Sequence, residues 1–385
     1  MRSLFHVMNA PIESIIVDSF RFIENLQTTA RQLCVVTEIV KRLNNKQLPK
    51  RLLDEMLIAW SQNEELKNEA YRKSKGKITN NGKKTAALRY YYGLSESLGL
   101  TQGFNNVFID TNISYILLYS LNTENDRESA DLLSFQEKVF YLFQLLQTDA
   151  DGILLCLDQL KGGIGKSQSD LQRSFKNVLN NRLEIKKRLI SPSYRHLITN
   201  KLRAVNYIWR SPEVYAEHII APRYEWLYTL GLVDILRTKG TTKYQLSEIG
   251  NTLWQLLPKI DSESGTTDIS EIWLNTHFFS IIGQIFSLTH IKYFSDMLPE
   301  MQLQLLGDAL EKAAKNVKSS VGFRLPLNST YFFVGMEMLV NQKTIINFNG
   351  IKKVLESSFI YNNKTYNQRI SGRLSESYIT ITINK

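Results

Sequence analysis

Residues 222–257 read PRYEWLYTLGLVDILRTKGTTKYQLSEIGNTLWQLL, and the order of elements encoded there decides the fold. Pro222 suits the first turn of a helix and Gly231 its C-terminal cap, while Trp226 and Leu230 fall on one face between them. Val233 to Leu236 and Tyr244 to Leu246 read as short strands flanking a basic turn that holds Arg237, Lys239 and Lys243. Ser247 then caps a second helix carrying Ile249, Leu253 and Leu257.

The same order occurs upstream. Leu88 to Leu98 reads as a helix with Leu94 and Leu98 on one face, and Gly99 ends it. A polar turn from Thr101 to Asn106, a strand Val107 to Ile109 and a helix from about Thr111 follow. That helix carries Ile113, Leu117 and Leu121 at the spacing of Ile249, Leu253 and Leu257. The C-terminal segment reads either as a third copy or as a helical domain closed by a β-hairpin. Val334 to Leu339 and Asn349 to Glu356 would be its helices, Lys343 to Ile346 and Tyr378 to Ile383 its strands, and Arg369 and Arg373 its basic contacts.

Elsewhere apolar residues recur at helical spacing, as in Phe135, Val139, Phe140, Leu142, Phe143 and Leu146, and again in Leu303, Leu306, Leu310 and Ala313. The fold class expected is therefore mainly α with short β-hairpins (α+β), as tandem modules joined by helical segments. Polar breaks at Asn122 to Glu128 and Asp261 to Asp268 divide the chain into residues 1–122, 129–260 and 269–385.

With 385 residues, 43% hydrophobic and 22% charged, the chain buries real cores, which excludes a disordered or fibrous protein. Only Cys34 and Cys156 are present, each in an apolar helical pattern, so neither a disulfide framework nor a four-thiolate metal site is expected. The longest apolar run, Ile113 to Leu121, is short for a membrane span, and acids interrupt the N-terminal apolar residues. A cytoplasmic protein with no membrane partner is expected.

Net charge is +10, and it is patchy. Between Tyr71 and Arg89 lie Arg72, Lys73, Lys75, Lys77, Lys83, Lys84 and Arg89 with no acid. Between Asn181 and Arg203 lie Arg182, Lys186, Lys187, Arg188, Arg195, Lys201 and Arg203 against Glu184 alone. Basic patches beside repeated helices point to phosphate-bearing partners, because contacted phosphates release condensed counterions.

Helix, Leu-Gly-Leu, strand, basic turn, strand and capped helix is an order that resembles the second half of a winged helix-turn-helix. Repeated in one chain, it resembles the DNA-recognition half of certain type IIS restriction endonucleases, which stack winged-helix subdomains ahead of a nuclease domain. The resemblance covers residues 60–257 best and residues 330–385 less closely, and rests on element order. It implies a first helix reading the major groove and a turn lying on the backbone. Those enzymes carry a carboxylate and an acid-X-Lys strand that is not found here, so the resemblance implies binding without cleavage, and no catalytic residue is assigned.

Lys161-Gly162-Gly163-Ile164-Gly165-Lys166-Ser167 matches the deviant Walker A pattern of partition-type ATPases, in which amides and lysines hold phosphates. Its context differs, since Asp158 and Gln159 precede it where a buried strand should end and the basic helix Leu171 to Leu189 follows. A flexible loop between helices is the favoured reading, with a nucleotide site at Lys161, Gly165, Lys166 and Ser167 the alternative. The five histidines are scattered, so no metal ligand set and no cofactor are expected. Tyr90, Tyr91 and Tyr92 either stack on bases or pack inside the module, and Tyr91 shares the face of Leu94 and Leu98.

The expected function is double-stranded DNA binding, as the recognition subunit of a bacterial restriction or phage-defence complex whose protein partner supplies nuclease or helicase activity. Lys83, Lys84 and Arg89 would line the first recognition helix, Arg223 the second, and Arg237, Lys239 and Lys243 its wing. Lys75, Lys77, Lys186, Lys187 and Arg188 would hold phosphates. An adaptor that binds proteins through its modules and an ATPase using the Gly-rich loop are the alternatives.

Overall fold

The computed structural model describes residues 20–24, 26–122, 133–209, 211–238, 241–286, 288–317, 324–370 and 377–384. Lys239, in the expected second wing, and Arg373 lie outside the described residues. The chain is mainly helical with small sheets.

The first unit runs α1 (Leu33–Leu43), β1 (Leu48–Pro49), α2 (Lys50–Lys67), α3 (Glu69–Lys73), a hairpin of β2 (Thr79–Asn80) and β3 (Lys83–Lys84), α4 (Ala87–Ser97), β4 (Thr101–Phe104), β5 (Val107–Asp110) and α5 (Asn112–Asn122). After α6 (Phe135–Thr148) the second unit runs α7 (Ala150–Leu160), β6 (Lys166–Ser167), α8 (Gln168–Leu189), α9 (Arg195–Arg203), α10 (Pro212–Thr229), β7 (Val233–Thr238), β8 (Thr241–Leu246) and α11 (Glu248–Leu256). Sheet order is β1-β5-β4 in the first and β6-β8-β7 in the second. The duplication thus begins well upstream of Leu88. It includes a helix, a two-residue strand and a second helix before the segment legible in sequence.

Bond-for-bond identity accounts for the repeat. The Leu-Gly-Leu elements are Schellman caps: Gly99 N–H donates to Glu96 O and Leu100 N–H to Ser95 O, as Gly231 N–H does to Tyr228 O and Leu232 N–H to Leu227 O. Gly99 and Gly231 take φ of +69° and +80°, which is why glycine stands there. The Thr111 hydroxyl donates to Gly99 O at 2.6 Å and the Ser247 hydroxyl to Gly231 O at 2.6 Å. Leu48 pairs with Phe108 and Lys166 with Tyr244, positions equivalent in the two hairpins. Gly250 lies so close to the strand entry that a Cβ would sit 1.8 Å from Leu232 O. Because that atom is backbone, Gly250→Ala is expected to lower stability by about 1–3 kcal/mol, read as a lower urea midpoint. An unchanged midpoint would show that the Leu232 carbonyl can move.

The remainder comprises a hairpin of β9 (Lys259–Asp261) and β10 (Thr266–Thr267), then α12 (Glu271–Ile285), β11 (Lys292–Tyr293), α13 (Pro299–Asn316), β12 (Arg324–Pro326), α14 (Leu327–Gln342), β13 (Thr344–Ile345), α15 (Phe348–Leu355), β14 (Phe359–Tyr361), β15 (Lys364–Arg369) and β16 (Tyr378–Ile383). The segment read as a linker is the β9–β10 hairpin, and Thr266, Thr267 and Asp268 are buried. Of the two readings of the C-terminus, the helical region closed by strands is the one found. Only Glu356 to Ser358 separate α15 from β14, so no further helix stands between them, and the order of the sheet is β12-β16-β15-β14. Arg369 ends β15 opposite Tyr378 rather than lying on a helix.

α6 is the hub. A Ser134–Glu137 capping box starts it, it is buried on nearly every side from Val139 to Leu146, and it packs on α5, α7, α12 and α14. Phe143 stacks on Phe332 at 4.1 Å and meets Phe278 edge-on at 5.0 Å. Cys34 and Cys156 are buried thiols, and burial pushes Cys156 up to about 12.

Candidate nucleic-acid interface

The basic stretch from Tyr71 to Arg89 folds as an insertion between α2 and α4. Asn81 and Gly82 turn the β2–β3 hairpin with φ of +48° and +74°, the geometry an Asn-Gly pair provides. Gln62 donates to Gly82 O at 2.8 Å, and buried Ser61 bonds Thr79 at 2.6 Å and Tyr71 at 2.9 Å, so the hairpin is fixed to α2. Lys83 is exposed and forms no ion pair among the described residues. Lys84 reaches Asp54 at 2.5 Å, and Asp54 also accepts from the Tyr92 hydroxyl at 2.6 Å, which ties the hairpin to α4.

On α4 the buried face carries Leu88, Tyr91, Tyr92 and Leu94, and the exposed face carries Arg89, Gly93, Glu96 and Ser97. Tyr91 and Tyr92 are therefore packing residues. Tyr90 is half-buried and bears the Arg89 guanidinium over its ring at 4.5 Å, with a hydrogen bond from Arg89 to its hydroxyl. Glu96 accepts from Gly103 N–H at 2.9 Å and fixes the β4–β5 hairpin, whose Asn105 and Asn106 take φ of +49° and +62°. The β4–β5 hairpin is thus a tight Asn-Asn turn without cations. Lys75 is exposed, whereas Lys77 is mostly buried, pairs with Glu65 at 3.1 Å and caps Arg72 O at 2.6 Å. Lys77 is a structural cation rather than a phosphate ligand.

The second unit departs further from expectation. Its α10 begins at Pro212, and Pro222 sits inside it. Residues 20–24 and 26–31 lie along α10: Trp226 Nε1 donates to Ala30 O at 2.9 Å, Arg31 pairs with Glu225 at 3.5 Å, and Arg223 donates to Ile23 O at 3.0 Å. Arg223 is fully buried and bidentate to Asp149 at 2.6 and 2.7 Å, so it cannot line a groove-reading helix. Lys186 is equally removed from solvent, 2.7 Å from Asp151 and 3.3 Å from Asp268. Arg182 joins it, reaching Asp151 at 3.3 Å and Asp158 at 3.2 Å.

Of the remaining candidates, Lys187 is half-buried, and Arg188, Lys243 and Arg369 are exposed. Arg237 is 67% exposed and 3.9 Å from Glu225.

Sequence reading missed this buried cluster of Asp149, Asp151, Asp158, Asp268, Arg182, Lys186 and Arg223. Its signal was present. Leu171, Phe175, Leu179, Arg182 and Lys186 form one continuous helical stripe on α8, and Asp151 and Asp158 lie in the otherwise apolar α7. Burial opposes ionisation of Asp151, but Lys186 and Arg182 outweigh it and hold the carboxyl below its usual value. A lowered folded value means the stabilisation is complete above the unfolded carboxylate value, near pH 4, and is lost as pH falls below it. Asp151→Asn is therefore expected to lower stability at pH 7 and to flatten the acid limb in urea midpoints taken from pH 7 to 3. Equal steepness in both proteins would remove Asp151 from the acid response.

The Gly-rich loop is the connection from α7 to β6, equivalent to Asn44 to Gln47 in the first unit. Lys166 Nζ caps Gln159 O at the end of α7, and Lys161 Nζ donates to Ser264 O. Ser167 caps α8, and Asp170 accepts from its backbone N–H at 3.3 Å and its hydroxyl at 2.6 Å. A carboxylate thus occupies the helix N-terminus that a phosphate would need, and Gly165 leads into a strand edge. Lys161, Lys166 and Ser167 are thus each engaged in bonds within the chain.

Comparison of the chain with protein-family models, with curated proteins and with solved structures returns no match.

Proposed function

We propose that the two repeated units are winged-helix modules and that the first binds double-stranded DNA, as the recognition subunit of a restriction or phage-defence assembly whose partner supplies nuclease or helicase activity. Element order and the strand orders β1-β5-β4 and β6-β8-β7 support the fold reading. One observation carries the functional reading: of the two equivalent helices, α4 alone keeps an exposed polar face, with Arg89 on it, and Lys75 and Lys83 are exposed on the segment that leads into it. Arg89 on α4 faces base edges, while Lys75 and the hairpin cations Lys83 and Lys84 lie on phosphates. The second module acts as scaffold, since residues 20–24 and 26–31 cover α10.

A titration of a 30-base-pair duplex at several salt concentrations tests this. Lys83→Ala with Lys84→Ala is expected to weaken binding and to reduce the slope of log K against log salt by about 1.8, from ~0.9 per lost phosphate contact. An unchanged slope would falsify the assignment.

A further inference from the structure

Between Glu184 and Glu213, from the end of α8 through α9 to the start of α10, the chain carries seven Lys and Arg, of which Lys186 and Lys201 are buried on Asp151 and Glu24. Arg188, Arg195 and Arg203 there are exposed, beyond the buried ion cluster. Seven of the 21 exposed large apolar side chains among the described residues fall between Leu189 and Tyr215. α9 runs into a π-helical turn, Ala204–Ile208, closed by a Trp209 N–H to Ala204 O bond at 3.0 Å. The turn seats the Trp209 ring between two others. It stacks on Phe175 at 6.1 Å and on Tyr215 at 4.9 Å, with interplanar angles of 9° and 9°.

Three parallel rings therefore form a column. Its inner member, Phe175, is fully buried, and its outer member, Tyr215, is 40% exposed. Asn180 donates to Asn206 at 2.8 Å and anchors the π turn to α8, so the column is held from both sides. Tyr207, on the same turn, is 86% exposed. π turns are energetically poorer than α-helix and concentrate at functional sites.

We propose that Tyr215 is a stacking platform for an unpaired base, and that this face, with Tyr207 and the cations Arg195 and Arg203, binds single-stranded DNA. Duplex bases already cover one another, so only an unpaired base can extend the column. The exposed cations Arg188, Arg195 and Arg203 match a phosphate backbone following α9. This face is separate from α4 and does not depend on the duplex reading.

The test is fluorescence anisotropy of labelled (dT)20 at low salt with the full chain. Wild type is expected to bind, Tyr215→Ala to weaken binding roughly five- to a hundredfold, and Tyr215→Phe to retain it. Tyr207→Ala, at a position too exposed to affect folding, is expected to weaken binding in the same direction. Arg203→Ala should reduce the salt slope by about 0.7. Lys83→Ala with Lys84→Ala should leave (dT)20 affinity within twofold of wild type, which separates this site from the duplex site.

Failure of wild type to bind (dT)20, or equal affinity in wild type, Tyr215→Ala and Tyr207→Ala, would overturn the proposal and indicate a protein-docking face. Tighter binding of oligouridine than of (dT)20 would overturn the assignment to DNA.

Discussion

Replacing Arg223 with methionine is expected to destabilise the folded chain by about 3–5 kcal/mol, because it strands a buried carboxylate. Asp149 is fully buried, accepts two bonds from Arg223 and one from Ile23 N–H at 2.8 Å, and burial already pushes its carboxyl above the usual value. Without the guanidinium it must take a proton or force the segment around Ile23 away from α10. A drop of roughly 4–6 °C in melting temperature follows for a chain of 385 residues. Replacing both partners, Asp149→Leu with Arg223→Leu, should recover part of the loss, since a buried pair is exchanged for apolar contacts. Duplex affinity of the folded Arg223→Met protein, measured well below its transition, should match wild type. An unchanged melting temperature together with weakened DNA binding would return Arg223 to the surface role its sequence position suggested.

The contrast between Arg223 and Arg89 shows which parts of the molecule were legible in sequence. Schellman caps, hydroxyl caps and hairpin strands are set by neighbours within a few residues, so Leu-Gly-Leu and Ser247 could be read directly. The partner of Arg223 lies 74 residues away, and no local pattern distinguishes a buried arginine from a reading one. The distinction was available in the helices that carry them. From Ala216 to Leu227, α10 is buried on nearly all sides, as its apolar residues would predict, whereas α4 alternates a buried stripe with Arg89, Gly93, Glu96 and Ser97.

The upstream half of each module escaped notice for another reason. Strands of two residues, such as Leu48–Pro49 and Lys166–Ser167, are too short to leave a period. The Gly-rich loop drew attention as a motif because its equivalent in the first unit, Asn44 to Gln47, reaches the same turn with Asn45 at φ +66° in place of glycines. Two solutions to one backbone problem share no letters.

Reversing charge at Lys83, Lys84 and Arg89 together is expected to reduce duplex affinity by about 10²–10³-fold at 0.1 M salt, since each lost counterion-releasing contact is worth roughly eightfold there. Arg89 contributes to that figure through its charge alone, and its place against base edges adds about 1–3 kcal/mol of discrimination through a bidentate pair to guanine. Its stack on Tyr90 holds the guanidinium beside α4, so little side-chain freedom remains to be lost on binding. None of the three side chains is buried, and only Lys84 has an acidic partner, so stability should stay within about 0.5–1 kcal/mol of wild type. Arg237→Glu with Lys243→Glu is the matched control: both lie on the hairpin beside the covered α10, and their reversal should change affinity far less. Were the two sets to weaken binding equally, the duplex would have to span both hairpins, and cover over α10 would no longer select the first module as the reader.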